Sequence, residues 1–172
     1  MSFSVYEISV PAFLRGLDAL SGLLDKVKIH AEAKKIDPTV LLQTRLIPDQ
    51  FPLAKQIQIA TDTAKLFVPR LTGVQAPAFQ DTETTLDEFQ ARIQTTVDFL
   101  KTLKPEQFDG WETKTVSFPW KPGQYIDAPD YVLQYALPNF YFHVTTAYSI
   151  LRASGVEIGK SDYLRVNWKA AS

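Results

Sequence analysis

The chain holds two histidines in 172 residues and no cysteine, and His143 is the imidazole whose surroundings are set for chemistry. It follows Asn139 by four residues and precedes Thr146 by three, spacings that put amide, imidazole and hydroxyl on one helical face. A histidine there can act as a metal ligand, as a general acid or base near neutral pH, or as a hydrogen-bonding group on a pocket floor. The plain alternative is a structural histidine satisfied from a neighbouring helix, since an unpaired buried polar group costs about 1–3 kcal/mol. His30, near the end of the first expected helix, has a simple role as a cation at the negative end of a helix dipole. The absence of cysteine excludes disulfides, thiolate metal sites and thiol nucleophiles.

Four long helices are expected to position these groups. Phe13, Leu17, Leu20, Leu24, Val27 and Ala31 repeat at steps of four and three between Val5 and about Ala33. Pro11 predicts a kink there, or a helix that starts around it, and Ile36-Asp37-Pro38 predicts the end. A short helical turn over Thr39 to Gln43 comes next. The second long helix opens near Asp49-Gln50-Phe51-Pro52, with Asp49 or Gln50 beside the cap and Pro52 suited to the first turn. Its stripe is Leu53, Ile57, Ala60, Ala64, Phe67 and Leu71, closed by Thr72-Gly73. A connector from Val74 to Thr84 carries Asp81 and Glu83, expected to serve the connector and the next helix start. Thr85 and Glu88 form a capping box for the third helix, which carries Leu86, Phe89, Ile93, Val97 and Leu100 and ends near Leu103.

Lys114 to Phe118 alternates with period two, and Pro119, Pro122 and Gly123 punctuate the chain beyond it, so a small β-hairpin or extended insertion is expected. The fourth long helix spans about Pro129 to Ser154, kinked at Pro138 and stopped by Gly155. It is apolar nearly all round, through Tyr131, Leu133, Tyr135, Phe140, Tyr141, Phe142 and Tyr148, so one side faces the bundle and another suits a second subunit. The tail from Val156, with Lys160, Tyr163 and Trp168, is expected to pack back on the bundle and to fray over Lys169 to Ser172. The whole chain, 1–172, reads as one all-α domain, a four-helix bundle with an insertion before the last helix.

Basic and acidic residues nearly balance, 18 against 19, so no electrostatic footprint for nucleic acid is present. The start lacks a basic and apolar leader, and no segment approaches ~18 uninterrupted apolar residues. A cytoplasmic protein with no membrane association is the expectation.

His143 with the succeeding Ala147-Tyr-Ser-Ile-Leu-Arg152-Ala-Ser-Gly155, the helix count and the insertion together resemble the DinB/YfiT-like superfamily of four-helix bundles. Pro48-Asp-Gln-Phe-Pro-Leu-Ala-Lys-Gln56, Leu137-Pro-Asn-Phe-Tyr-Phe-His-Val-Thr-Thr-Ala-Tyr148 and Gly159-Lys-Ser-Asp-Tyr-Leu164 are similar to the uncharacterised DUF1993 family. The superfamily resemblance implies a divalent metal held by three histidines, one on the second long helix and two spaced i, i+4 on the fourth. His143 matches the last of these. Asn139 stands where its partner belongs, and Gln56 is the nearest counterpart on the second helix, which has no histidine. Amide oxygens are weak ligands for zinc or nickel, so the resemblance implies a degenerate site and no cofactor. A metal would have to use His143 with Asp49, Asp62 or His30, although Thr61 and Thr63 put Asp62 on a solvated face.

Two functions are expected. One is a dimeric small-molecule-binding or scaffolding protein, with His143, Asn139 and Gln56 on a pocket floor and Trp120 and Tyr141, beside Phe51 and Tyr125, in its walls. The other is an enzyme of hydrolase or thiol-transferase type using a rearranged site around His143.

Overall fold

The computed structural model describes residues 3–166 and 168. Helix α1 spans Val5–Lys34, so it begins well before Pro11. Ser4 explains this: its hydroxyl accepts from the Glu7 amide at 3.2 Å while the Glu7 carboxylate accepts from the Ser4 amide at 2.8 Å. Once the end is capped, the missing Pro11 amide costs one bond on an exposed face, and the helix runs on through it. Helix α2 is the short turn Thr39–Leu42. Helix α3, Leu53–Thr72, takes Pro52 as its N-cap with no side-chain bond, so Pro52 stands one residue ahead of the first turn expected for it. Gly73 closes it with φ 79°, the left-handed conformation that a glycine adopts without penalty. Helix α4, Leu86–Lys101, begins on the expected Thr85–Glu88 box.

The insertion is a two-stranded antiparallel hairpin, β1 Thr115–Ser117 and β2 Tyr125–Asp127, with Val116 opposite Ile126. The chain then enters the last long helix in three pieces: α5 Ala128–Asp130, a π turn Tyr131–Ala136, and α6 Leu137–Ala153. The π turn takes the place of the simple kink expected at Pro138. Proline offers no amide to the preceding turn and its ring crowds the carbonyl four residues back, so the helix widens ahead of it. A final helix α7, Lys160–Leu164, lies on α1.

Phe13 of α1, Phe67 of α3 and Phe140 of α6 meet edge to face at the centre, with Phe13 at 5.1 Å from Phe67 and 4.9 Å from Phe140. Gly16 lets α6 come this close, because a Cβ there would stand 2.3 Å from the Phe140 ring. After α6 the chain packs through buried Val156 and Ile158 and through Arg165, which binds both carboxylate oxygens of Asp18 at 2.7 and 3.0 Å. Trp168 does not join that packing and is 89% exposed. The expected fraying of Lys169 to Ser172 lies outside the described residues. Among the described residues, no helix is long and apolar enough to cross a membrane.

Charge enters this interior at Arg92 of α4. The residue is 3% exposed, and its guanidinium binds Asp62 of α3 at 2.8 Å, Asp81 at 2.7 Å and Glu83 at 2.8 Å. Its Nε donates to the Thr61 hydroxyl at 2.7 Å, and the Phe79 ring lies 4.2 Å from Cζ. Lys55 and Lys65 balance the remaining charge on Asp81 and Asp62. Asp81 and Glu83 are therefore partners of a buried cation, not groups serving the α4 start, and Asp62 is engaged rather than solvated. Burial pushes both connector carboxyls up, but hydrogen bonds and the Arg92 charge, helped by Lys55 at Asp81 and Gln58 at Glu83, outweigh it and leave both below their ordinary values. Their folded values lie under the unfolded ones, so their stabilisation is full above the ordinary carboxylate range and is lost as pH falls through the folded values. Arg92→Met is expected to lower the unfolding free energy in urea by about 3 kcal/mol, because it leaves Glu83 with no cation and Asp81 and Asp62 with one lysine each. It should also remove part of the wild type's acid-induced loss of stability below about pH 4.

Candidate functional site

Helices α3 and α6 pack closely along their length, and two polar contacts bridge them. Near the start of α3, His143 Nδ1 lies 2.7 Å from Gln56 Oε1. One turn earlier on α6, Asn139 Nδ2 donates to the Thr63 hydroxyl at 2.9 Å, and that hydroxyl donates to the Ile59 carbonyl at 2.7 Å. Thr146, the third member of the expected face, turns back to the Phe142 carbonyl instead.

The Gln56 amide fixes the histidine tautomer. Its Nε2 donates to the Phe51 carbonyl at 2.9 Å, so turning the amide over would set two acceptor oxygens against each other. Oε1 therefore faces His143, and an amide oxygen only accepts. Nδ1 must carry the proton, which leaves Nε2 with an unshared lone pair. His143 is 7% exposed, and burial pushes its pKa from 6.5 down to about 4, so the ring is neutral at physiological pH.

The other expected site residues do not all converge here. Phe51 contributes its carbonyl, and its ring is exposed. Tyr141, two residues from His143, points to the other side of α6 and lines a cavity of about 100 Å³ with Arg15, Gly16 and Tyr163. Trp120 and Tyr125 lie in the hairpin, where Phe118 stacks on Trp120 at 4.6 Å and under Arg70 at 4.9 Å. Arg70 is fourteen residues after Gln56 on α3, about 21 Å along the axis, so the hairpin aromatics stand at the opposite end of the bundle. His30 lies beside Gly155, past the end of α6 and about 15 Å or more from His143 along that helix. Asp62 is bound to Arg92 and Lys65, and Asp49 is exposed on the turn before α3. Among the described residues, no group of three or more histidine or carboxylate side chains is placed to hold a metal ion.

Arg92 is not singled out in the sequence, and Thr63 reads there only as a solvated neighbour of Asp62, whereas it is 7% exposed. Arg92 carried a signal, a charge three residues after Phe89 on the buried stripe, with Asp81 and Glu83 ahead of it. Thr63 carried none, because its pairing depends on the register of helices 76 residues apart.

A bundle of four long helices with a small hairpin before the last is a DinB-like fold. The chain belongs to the DUF1993 family, a domain of unknown function whose match covers residues 5–164. It is similar to a DinB family member protein from Shewanella denitrificans, known as a crystal structure, with 44% identity and a TM-score of 0.91. That likeness covers 96% of this chain and 95% of the other. No curated protein matches.

A neutral buried histidine adds a pH term to stability. Its folded pKa lies below the unfolded 6.5, so the contribution is complete above about pH 6.5 and is lost toward about pH 4. Wild type is expected to lose about 1–2 kcal/mol over that interval that His143→Gln does not lose, with the residual solvent access of the ring allowed for. By NMR the His143 Cε1 proton should titrate with a midpoint near 4. A midpoint above about 6 would show a solvated ring and no Gln56 contact.

Proposed function

We propose that this DUF1993 protein is a dimeric small-molecule-binding or scaffolding protein in which a hydrogen-bonded amide–imidazole seam replaces the three-histidine metal site of DinB-like relatives. The observation carrying this reading is the 2.7 Å contact between His143 Nδ1 and Gln56 Oε1. Two of the three positions that the resemblance assigns to metal ligands hold amides, and both are already engaged: Gln56 by His143 and Phe51, Asn139 by Thr63. The seam is uncharged, and a divalent ion there would meet one imidazole lone pair and weak amide oxygens. The residues do not fit the metal.

The competing reading is a hydrolase or thiol-transferase using a rearranged site around His143, and the unshared Nε2 lone pair is what favours it. A pKa near 4 weakens it, because general base catalysis at neutral pH works best from a group whose pKa is close to 7. The carboxylates that would help are held elsewhere, Asp62 by Arg92 above all.

Protein purified without chelator is expected to carry no stoichiometric zinc or nickel by elemental analysis. The double variant Gln56→His, Asn139→His should rebuild three nitrogens and bind zinc at close to one equivalent. Stoichiometric metal in wild type that is lost in His143→Ala would sink the seam reading and favour the enzyme.

The dimer half rests on α6, whose outer side exposes Tyr141 and Phe142 in the same helix that buries Phe140 and His143, with Leu133 of the π turn exposed ahead of them. An apolar strip of this kind suits an isologous interface. Sedimentation velocity at micromolar concentration should give a dimer for wild type. Phe142→Glu, at a side chain 57% exposed, should shift it at least tenfold toward monomer while leaving the helical circular dichroism spectrum unchanged.

A further inference from the structure

The hairpin end holds a cavity of about 190 Å³ whose walls include Phe118, Trp120, Tyr125 and Tyr135, with Lys121 and Gln124 on the rim. Three features make it a built site rather than a crease. Its rim is stiff: the Lys121 amide donates to the Phe118 carbonyl at 3.0 Å and the Gln124 amide to the Lys121 carbonyl at 3.1 Å. Pro119 and Pro122 fix φ between those turns, and Gly123 supplies the one left-handed residue, φ 74°. Its back wall is clamped, since the Arg70 guanidinium lies 4.9 Å from the Phe118 ring centre and donates to the Tyr131 hydroxyl at 3.1 Å. Its floor comes from the π turn, whose extra residue re-aims Tyr135 onto Phe118 at 4.8 Å.

Two aromatic side chains stay in water around this cup, Trp120 at 59% and Tyr125 at 69% exposure. Lys121 is the only charged group lining the cavity, and it makes no ion pair among the described residues. The volume is well under the roughly 300–1,000 Å³ of sites for drug-sized ligands, so it accepts about one ring with its substituents. Flat aromatic walls select a flat ring, and a lone cation selects an anion.

The geometry points to a binding site for a single-ring aromatic carboxylate, its ring against Trp120 and Tyr135 and its carboxylate on Lys121. This specifies the small molecule of the binding-protein reading at a place remote from His143. Metal content and oligomeric state are measured separately, so failure of one leaves the other standing.

The test uses the full chain, benzoate as probe, and benzamide and cyclohexanecarboxylate as controls for charge and for aromaticity. In ¹H–¹⁵N spectra the Trp120 indole signal, assigned by its loss in Trp120→Ala, should shift saturably with benzoate, while that of Trp111, in the short turn Trp111–Thr113 before β1 and outside the cavity lining, stays still. Both controls should bind at least fivefold more weakly. Lys121→Gln, on an exposed turn, should remove the preference for benzoate over benzamide, and Trp120→Ala should weaken benzoate at least tenfold by calorimetry. Circular dichroism melts would verify the fold of both variants, and Trp120→Leu replaces Trp120→Ala if the latter unfolds. No shift at benzoate on the order of 10 mM, or equal binding of benzoate and benzamide to wild type, overturns the assignment.

Discussion

Asparagine and histidine side chains on the buried side of an apolar helix need partners across the nearest interface, and the α3–α6 pairing is built on that constraint. Asn139 and His143 stand one turn apart on α6, and α3 meets them with Thr63 and Gln56. Both contacts require one rotation and one axial offset of the two helices, which are those that bring Phe67 and Phe140 together around Phe13. Turning α6 by one residue, about 100°, would bury two unpaired polar groups and expose Phe140 at once. Polar satisfaction and aromatic packing therefore specify a single register.

Buried hydroxyls such as Ser9, Thr96 and Thr146 turn back to carbonyls of their own helices, and the polarity between α3 and α4 is handled by charge. Arg92 brings a cation into the α3–α4 interface and recruits Asp81 and Glu83 from the connector, so the chain between those helices is tied down by its carboxylates. Asp81 adopts φ 57° to reach it, a conformation aspartate tolerates better than most residues. Three carboxylates face Arg92, Lys55 and Lys65, so the cluster is neutral as a whole. Asp62, Asp81 and Glu83 are thereby consumed in holding the fold. Charge inside this protein is structural, and the seam beside His143 is left without any.

The two ends of the bundle differ in character as a result. The His143 end is a tightly paired polar seam whose one unshared lone pair belongs to a weakly basic nitrogen. The hairpin end is aromatic, stiff and cationic. Membership in a fold says little about which end matters, since function resides in sites. Their separation also corrects the idea of a single pocket: the hairpin crosses over the far mouth of the bundle, not over His143.

Much of the architecture was legible in the sequence because it rests on local chemistry. Stripes at helical spacing, the Thr85–Glu88 box, Gly73 and the two-residue alternation around Val116 act within a few residues of themselves, and each element formed where they place it. The start of α1 is set by the same local chemistry, the Ser4–Glu7 box, which outweighs Pro11. His143 and Gln56 could be named as a pair only through family resemblance. That they touch, that the touch fixes the tautomer, and that Asn139 answers to Thr63 were decided by the tertiary structure. The distance between Trp120 and His143 was settled there as well. Residue types determine which groups need partners, but the partner lies on another helix, and only the packed register of the helices decides which group is within reach.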